Sequence, residues 1–284
     1  MNKPFLLGAV AYDPKVVTIW DGFQRWFAQH NFAFDYILYS NYEQQVEGLF
    51  AEHFDVAWNS PLAWLQAQRI AAQTGQTAEA IAMRDTDCDL TSVIVVRQDS
   101  PIQTVQDLRN KTVAVGAADS PQATLIPLLH LVEAGLEPER DFQVRRFDLL
   151  LGKHGDHIGG ERHAAKALIE GQVDAACMID GNHWLFTREG TLPANSTRII
   201  AQTDTYDHCN FTILGNAPHD AVIRFRELLL SMSYDDPQVR PLLDLEGLKQ
   251  WRSGRTEKYA SLTRAVDRFH TIDAFVAQIS NTVR

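Results

Sequence analysis

The chain switches repeatedly between two hydrophobic periods as far as Leu214, and the switching predicts alternating strands and helices. Phe5 to Val10 is a short apolar run of the kind a buried strand makes. Val16, Ile19, Trp20, Phe23 and Phe27 then recur at helical spacing. Phe34 to Leu38 reads as a strand, Tyr42 to Phe50 as a helix and Asp55 to Trp58 as a third strand. Ser60 before Pro61 is an N-cap followed by a residue suited to the first helical position, so a helix is expected from there to about Arg69. After a polar break over 84–89, Thr91 to Arg97 is strongly β-forming. Thr112 to Val115 delivers the chain to Ala117-Ala118-Asp119-Ser120-Pro121, from which a helix runs to Glu133 with Gly135 as its stop. Strands follow at Phe142 to Phe147, Val173 to Ile179, Ile199 to Gln202 and Phe211 to Leu214. Helices are expected at Ala164 to Glu170 and from Asn182 to Arg188. The remainder reads as nearly all helical, including Gln238 to Leu243 and Glu246 to Trp251.

Strand–helix alternation of this kind argues a two-lobed, parallel α/β architecture. The expected division is lobe 1 over 1–90, completed by 208–284, and lobe 2 over 91–207. Two crossings of the chain would then form a hinge, and the C-terminal helices would finish lobe 1. Open α/β sheets bind ligands outside the carboxyl ends of their strands, so strand-end residues are the candidates for a site.

A length of 284 residues, 45% of them apolar, is ample for about two domains. The net charge of −10 and the absence of any Lys/Arg stripe disfavour nucleic acid as a partner. One small anion remains compatible, because a few backbone N–H groups hold it whatever the global charge. No apolar stretch approaches the ~18 residues of a spanning helix, so membrane insertion is not expected. No signal peptide is visible. A periplasmic location is expected if the chain is a processed form, and a cytoplasmic one if Met1 is native. Cys88, Cys177 and Cys209 are odd in number and lack a Cys-x-x-Cys spacing, so neither a disulfide framework nor a zinc ribbon is expected. With no Gly-x-Gly-x-x-Gly and no P-loop, no cofactor is expected.

Four stretches carry a family resemblance: Phe54 to Trp64, Ser92 to Arg97 with Asp99-Ser100-Pro101, Asp107 to Val115, and Ala164 to Asp180. In these the chain resembles the phosphonate-binding family of ABC-transporter substrate-binding proteins. The resemblance implies a type II periplasmic-binding fold, a small-molecule ligand, and a permease or a sensor protein as partner. The family usually places a Ser/Thr-rich, Gly-containing turn after the strand that ends here at Val115. This chain keeps hydroxyls at Ser120 and Thr124, but Asp119 adds a carboxylate and Pro121 removes an N–H donor.

Candidate ligand contacts are therefore Ser120, Gln122 and Thr124 at one helix start and Asn59 and Ser60 at the other. Tyr12 follows the first strand, and Asp180 ends a strand of lobe 2. Each has a plainer alternative, as an ordinary cap or packing residue. His157 belongs to a Gly- and His-rich loop, Lys153-His154-Gly155-Asp156-His157, which reads either as a loop that folds over the ligand or as surface histidines with no role. Its His-x-x-His spacing lacks the Glu of the His-Glu-x-x-His pattern and does not sit on a helix face, so no metal site is expected there. His208-Cys209 would give a reactive thiol if His208 were charged. The expected function is a solute-binding protein that closes on a small anionic or zwitterionic ligand. The alternatives are a cytoplasmic enzyme on the same fold, with His157 or Asp180 as base, and a ligand-sensing module.

Overall fold

The computed structural model describes residues 3–147 and 158–283, with the side chains of 158 and 159 excepted. The chain runs β1 (Phe5–Val10), α1 (Lys15–Gln29), β2 (Phe34–Tyr39), α2 (Tyr42–Phe50), β3 (Val56–Asn59), α3 (Pro61–Gln73) and β4 (Ala78–Arg84). It continues through β5 (Ser92–Arg97), β6 (Thr112–Val115), α4 (Ile126–Glu133), β7 (Gln143–Arg146), α5 (Ile158–Ile169), β8 (Ala175–Ile179), α6 (Asp180–Glu189) and β9 (Thr197–Gln202). It ends with β10 (Asn210–Leu214), α7 (His219–Ser231), α8 (Arg240–Glu246), β11 (Trp251–Ser253), α9 (Ala260–Phe269) and α10 (Asp273–Val283). These elements form two compact units. One comprises residues 1–88, 207–257 and 272–284; the other comprises 89–206 and 258–271.

The first unit is built on a sheet of order β11-β4-β10-β3-β1-β2. β1 is parallel to both β2 and β3, whereas β10 and β11 run antiparallel to their neighbours. Alternate residues Phe5, Leu7 and Ala9 of β1 enter a core with Trp20, Phe23 and Phe27 of α1, Phe225 of α7 and Leu243 of α8. This core is strongly aromatic: Phe211 lies 4.7 Å from Trp58, 5.1 Å from Phe225 and 5.3 Å from Trp251, centroid to centroid. Helices α2, α3 and α10 pack with one another.

The second unit has a sheet of order β7-β6-β8-β5-β9. Its centre is buried on both sides, which is why Val93 to Val96 is a continuous apolar run. Val93 and Val95 meet α5 and α6 through Ala164, Leu168 and Phe186. Ile94 and Val96 face the opposite way, toward Leu128 and Leu131 of α4.

Several expectations are corrected. The sheets are mixed: β5 runs antiparallel to both β8 and β9. The segment 246–251 is not a helix, because Gly247 takes the left-handed conformation at φ 83° and ends α8, after which Trp251 joins the sheet edge as part of β11. Ala78–Arg84 forms β4, although its alanine-rich sequence gives no β signal of its own. Residues 258–271 group with the second unit, where the sequence reading gave all of 208–284 to lobe 1. The reason lies in α9: its buried stripe of Leu262, Ala265 and Val266 belongs to a helix that packs on α4. Arg264 and Arg268 reach Glu133 at 3.0 Å and Glu137 at 2.6 Å. Amphipathicity announces a buried face but not what covers it.

Candidate functional site

In the second unit, β6 and β8 are parallel neighbours, so the segments that follow them emerge at the same sheet edge. After β6 the chain turns tightly, with Ser120 N–H donating to Ala117 C=O at 3.0 Å, and enters a widened helical turn over Pro121–Leu125 that continues into α4. Ser120 caps it: its Oγ accepts from Ala123 N–H at 3.2 Å. Its carbonyl accepts from both Thr124 N–H at 3.1 Å and Leu125 N–H at 2.9 Å. Pro121 has no N–H to offer, so Gln122 keeps the one first-turn N–H that the helix does not require.

Gln122 and Thr124 are buried, at 3% and 1% exposure, yet Gln122 Oε1 and Thr124 Oγ1 have no partner among the described residues. An orphaned buried polar atom costs about 1–3 kcal/mol. Two of them on one helix start, where the backbone carries partial positive charge, make a polar lining suited to a charged guest. Gly116 lets the turn close this tightly. A Cβ there would lie 2.7 Å from Ala123 Cβ, so Gly116→Ala is expected to push the turn off β6. The expected cost is about 1–3 kcal/mol, read as a lowered midpoint in urea together with weaker ligand binding.

Behind the turn is a support that the sequence reading missed. The buried Tyr206 hydroxyl lies 2.7 Å from Ser92 Oγ, and Ser92 Oγ donates to Gln122 C=O. Burial pushes the Tyr206 hydroxyl well above its usual range, so it stays protonated and donates. The order is Tyr206 O–H to Ser92 O–H to Gln122 C=O. Tyr206→Phe removes the first donor and is expected to cost about 1–2 kcal/mol, measurable by denaturation, with a severalfold loss of ligand affinity.

Asp180 begins α6 at the end of β8. Its carboxylate accepts from Thr91 Oγ1 at 2.9 Å and from Gly181 N–H at 2.6 Å, and Gln202 Nε2 donates to Thr91 Oγ1 at 2.7 Å. Glu161, fully buried on α5, accepts from Ile179 N–H at 3.0 Å and Asn182 Nδ2 at 2.8 Å. Sequence reasoning passed over Glu161. The available signal was a carboxylate in the apolar stripe Glu161, Ala164, Ala165 and Leu168.

In the first unit, β1 and β3 are parallel, and Tyr12, just beyond β1, lies at the same sheet edge as Asn59, which ends β3, and Ser60, which follows it. Ser60 Oγ caps α3 by accepting from Ala63 N–H at 3.3 Å. Asn59 is fully buried and its amide is committed: Oδ1 accepts from Gln45 Nε2 at 2.7 Å, and Nδ2 donates to Thr212 Oγ1 at 2.9 Å. Thr212 Oγ1 in turn donates to Asn210 Oδ1 at 2.7 Å. Tyr12 is 40% exposed, with Lys15 Nζ 5.8 Å from its ring centre. His157 lies outside the described residues, as does the rest of 148–157.

Two mixed α/β units, each with helix starts at the carboxyl edge of parallel strands, define a type II periplasmic-binding fold. Three solved structures share it at identities that speak for the fold alone. One is PhnD1 from Prochlorococcus marinus (MIT 9301) in complex with methylphosphonate, with a TM-score of 0.68, 19% identity and coverage of 95% of this chain and 99% of that one. Another is XAC2383 from Xanthomonas citri bound to ATP, with a TM-score of 0.65, 17% identity and full coverage of both chains. The third is the periplasmic aliphatic sulphonate binding protein SsuA from Escherichia coli, with a TM-score of 0.59, 16% identity and coverage of 95% and 87%. No curated protein matches this chain in sequence.

The sequence profile of the ABC-transporter phosphonate periplasmic substrate-binding proteins matches residues 10–259, and the chain belongs to that family. It is thus a solute-binding protein of the phosphonate ABC-transporter type. No helix among the described residues is long and apolar enough to cross a membrane.

Proposed function

We propose that this chain binds a small organic oxyanion, a phosphonate or sulfonate, with its anionic head on the Ser120–Thr124 turn. The observation that carries the reading is the pair of buried, unpartnered atoms at that helix start, Gln122 Oε1 and Thr124 Oγ1. The Gln122 N–H and the Thr124 hydroxyl supply donors to an oxyanion. Gln122 Oε1 accepts only, which favours a ligand that also carries a proton to give, such as an aminoalkyl group or a singly protonated phosphonate. Asp180 at the same edge favours an amine in the same way.

Tyr12, Asn59 and Ser60 are the corresponding strand-end set of the first unit, with Asn59 acting through Gln45 and Thr212 as a brace and not through a free amide. The ligand-bound conformation is what a permease of an ABC transporter would read, by binding it in preference to the ligand-free one. In that role the protein works in the periplasm. The test is calorimetric titration of the ligand-free protein with methylphosphonate, aminomethylphosphonate, methanesulfonate, taurine and glycine. Affinity for the oxyanions with none for glycine supports the reading; affinity for glycine alone removes it.

A further inference from the structure

The first unit also holds a cluster of buried donor groups that solute binding does not use. It forms where the chain leaves β4 and where it returns ahead of β10. His208 N–H donates to Asp87 C=O at 2.9 Å, so the outgoing and returning segments are already tied by backbone. Around that tie, Asp87 Oδ1 lies 3.3 Å from His208 Nδ1, and Cys209 Sγ lies 3.1 Å from the same nitrogen. The three donor atoms all lie within 4.8 Å of one another, and no other such group of three occurs among the described residues.

Bonds of about 2.0–2.3 Å in a tetrahedral arrangement hold ligand atoms about 3.3–3.8 Å apart. The Asp87–His208 separation already suits an ion, and Cys209 Sγ, 3.1 Å from His208 Nδ1, needs a shift of about half an ångström to admit one. Asp87 and Cys209 are buried, while the His208 side chain keeps 16% of its surface, leaving one side open to solvent. The carboxylate is held in place from behind. Arg84 Nε and Nη2 donate to its two oxygens at 2.5 and 3.0 Å, and Arg84 Nη1 reaches Glu246 C=O at 3.0 Å and Oε1 at 3.3 Å. A hydrogen-bonded outer partner that fixes a ligating carboxylate is a regular part of metal sites. One carboxylate and one thiolate together balance the charge of a divalent ion at its own ligands. The thiol, imidazole and carboxylate set suits zinc and its borderline relatives, and is a poor match for magnesium or calcium.

We propose that Asp87, His208 and Cys209 form a three-residue site for a zinc-class divalent ion, with solvent as fourth ligand, stapling the outgoing and returning segments together. On binding, the Cys209 thiol proton leaves to solvent, the sulfur donates its electron pair to the ion, and His208 binds as neutral imidazole. The sequence hides this site because Asp87 is far along the chain from His208-Cys209, and no short motif joins them.

The test uses the full reduced chain, stripped with a chelator and titrated with Co2+ and then Zn2+. Saturation is expected at one equivalent, with a thiolate-to-cobalt charge-transfer band in the near ultraviolet that Zn2+ bleaches. Cys209→Ser is expected to abolish the band and weaken Zn2+ binding by roughly a hundredfold or more, and His208→Gln by at least about tenfold. Cys88→Ser should leave both unchanged. Circular dichroism of the stripped variants separates loss of a ligand from loss of the fold, and His208→Gln carries the test if Cys209→Ser does not fold. Absence of a thiolate band in the unmodified chain, or a band that survives Cys209→Ser, overturns the proposal.

Discussion

Arg84→Ala is expected to destabilise the first unit by about 3–5 kcal/mol, the largest effect of any single substitution considered. Arg84 satisfies Asp87 through two bonds and Glu246 through a third, and its guanidinium lies 5.2 Å from the Trp58 ring centre. Both carboxylates are buried, at 3% and 4% side-chain exposure. Truncation therefore strands two acids away from water and also removes the stack on Trp58. The balance of charges is visible in Asp87. Burial alone would raise its carboxyl, but Arg84 and His208 override that and bring it down to about 2. Arg84→Lys keeps the charge but not the fork that meets two oxygens at once, so it is expected to recover only part of the loss. Thermal unfolding should report Arg84→Ala as a fall on the order of 10 °C. A change under about 1 kcal/mol would mean that the network is wet enough to re-form around water.

The second large effect concerns the ligand turn. Ser120→Ala combined with Thr124→Val is expected to weaken oxyanion binding by roughly a hundredfold, or about 2.7 kcal/mol. The two substitutions act differently. Ser120→Ala removes the acceptor for Ala123 N–H and loosens the helix start, which by itself costs about 1 kcal/mol of stability. Thr124→Val is close to isosteric and removes a hydroxyl that has no partner among the described residues. It is therefore expected to leave the ligand-free protein as stable as before, or slightly more stable, while still lowering affinity. A stability loss from Thr124→Val without an affinity loss would identify the hydroxyl as a packing group.

Much of this architecture is legible from the sequence, for definite reasons. Ser60-Pro61 and Ser120-Pro121 announce helix starts because a hydroxyl cap followed by proline suits little else, and both hydroxyls do cap, on Ala63 and Ala123. Thr91 to Arg97 announces a strand through its β-branched run, and β5 forms over Ser92–Arg97. The failures share a cause: they depend on partners remote in sequence. β4 is a strand because β10 and β11 bracket it, against the preference of its alanines. α9 joins the second unit because of α4, which no periodicity within α9 specifies. Tyr206 and Ser92 support the turn from far along the chain, and only the fold brings them to Gln122. Asn59 illustrates a subtler limit. Its position at a strand end was readable, but the commitment of its amide to Gln45 and Thr212 was not.

The central claim is that a small oxyanion is held at the Ser120–Thr124 turn. Its most direct test is calorimetric titration of methylphosphonate and methanesulfonate into the ligand-free chain and into its Thr124→Val variant, each with Ca2+ and Zn2+ excluded by chelator. The account predicts a single site in the unmodified chain, at least about tenfold weaker in the variant, with unchanged thermal unfolding of the ligand-free variant. Equal affinity in both proteins would contradict it and move the oxyanion away from this turn.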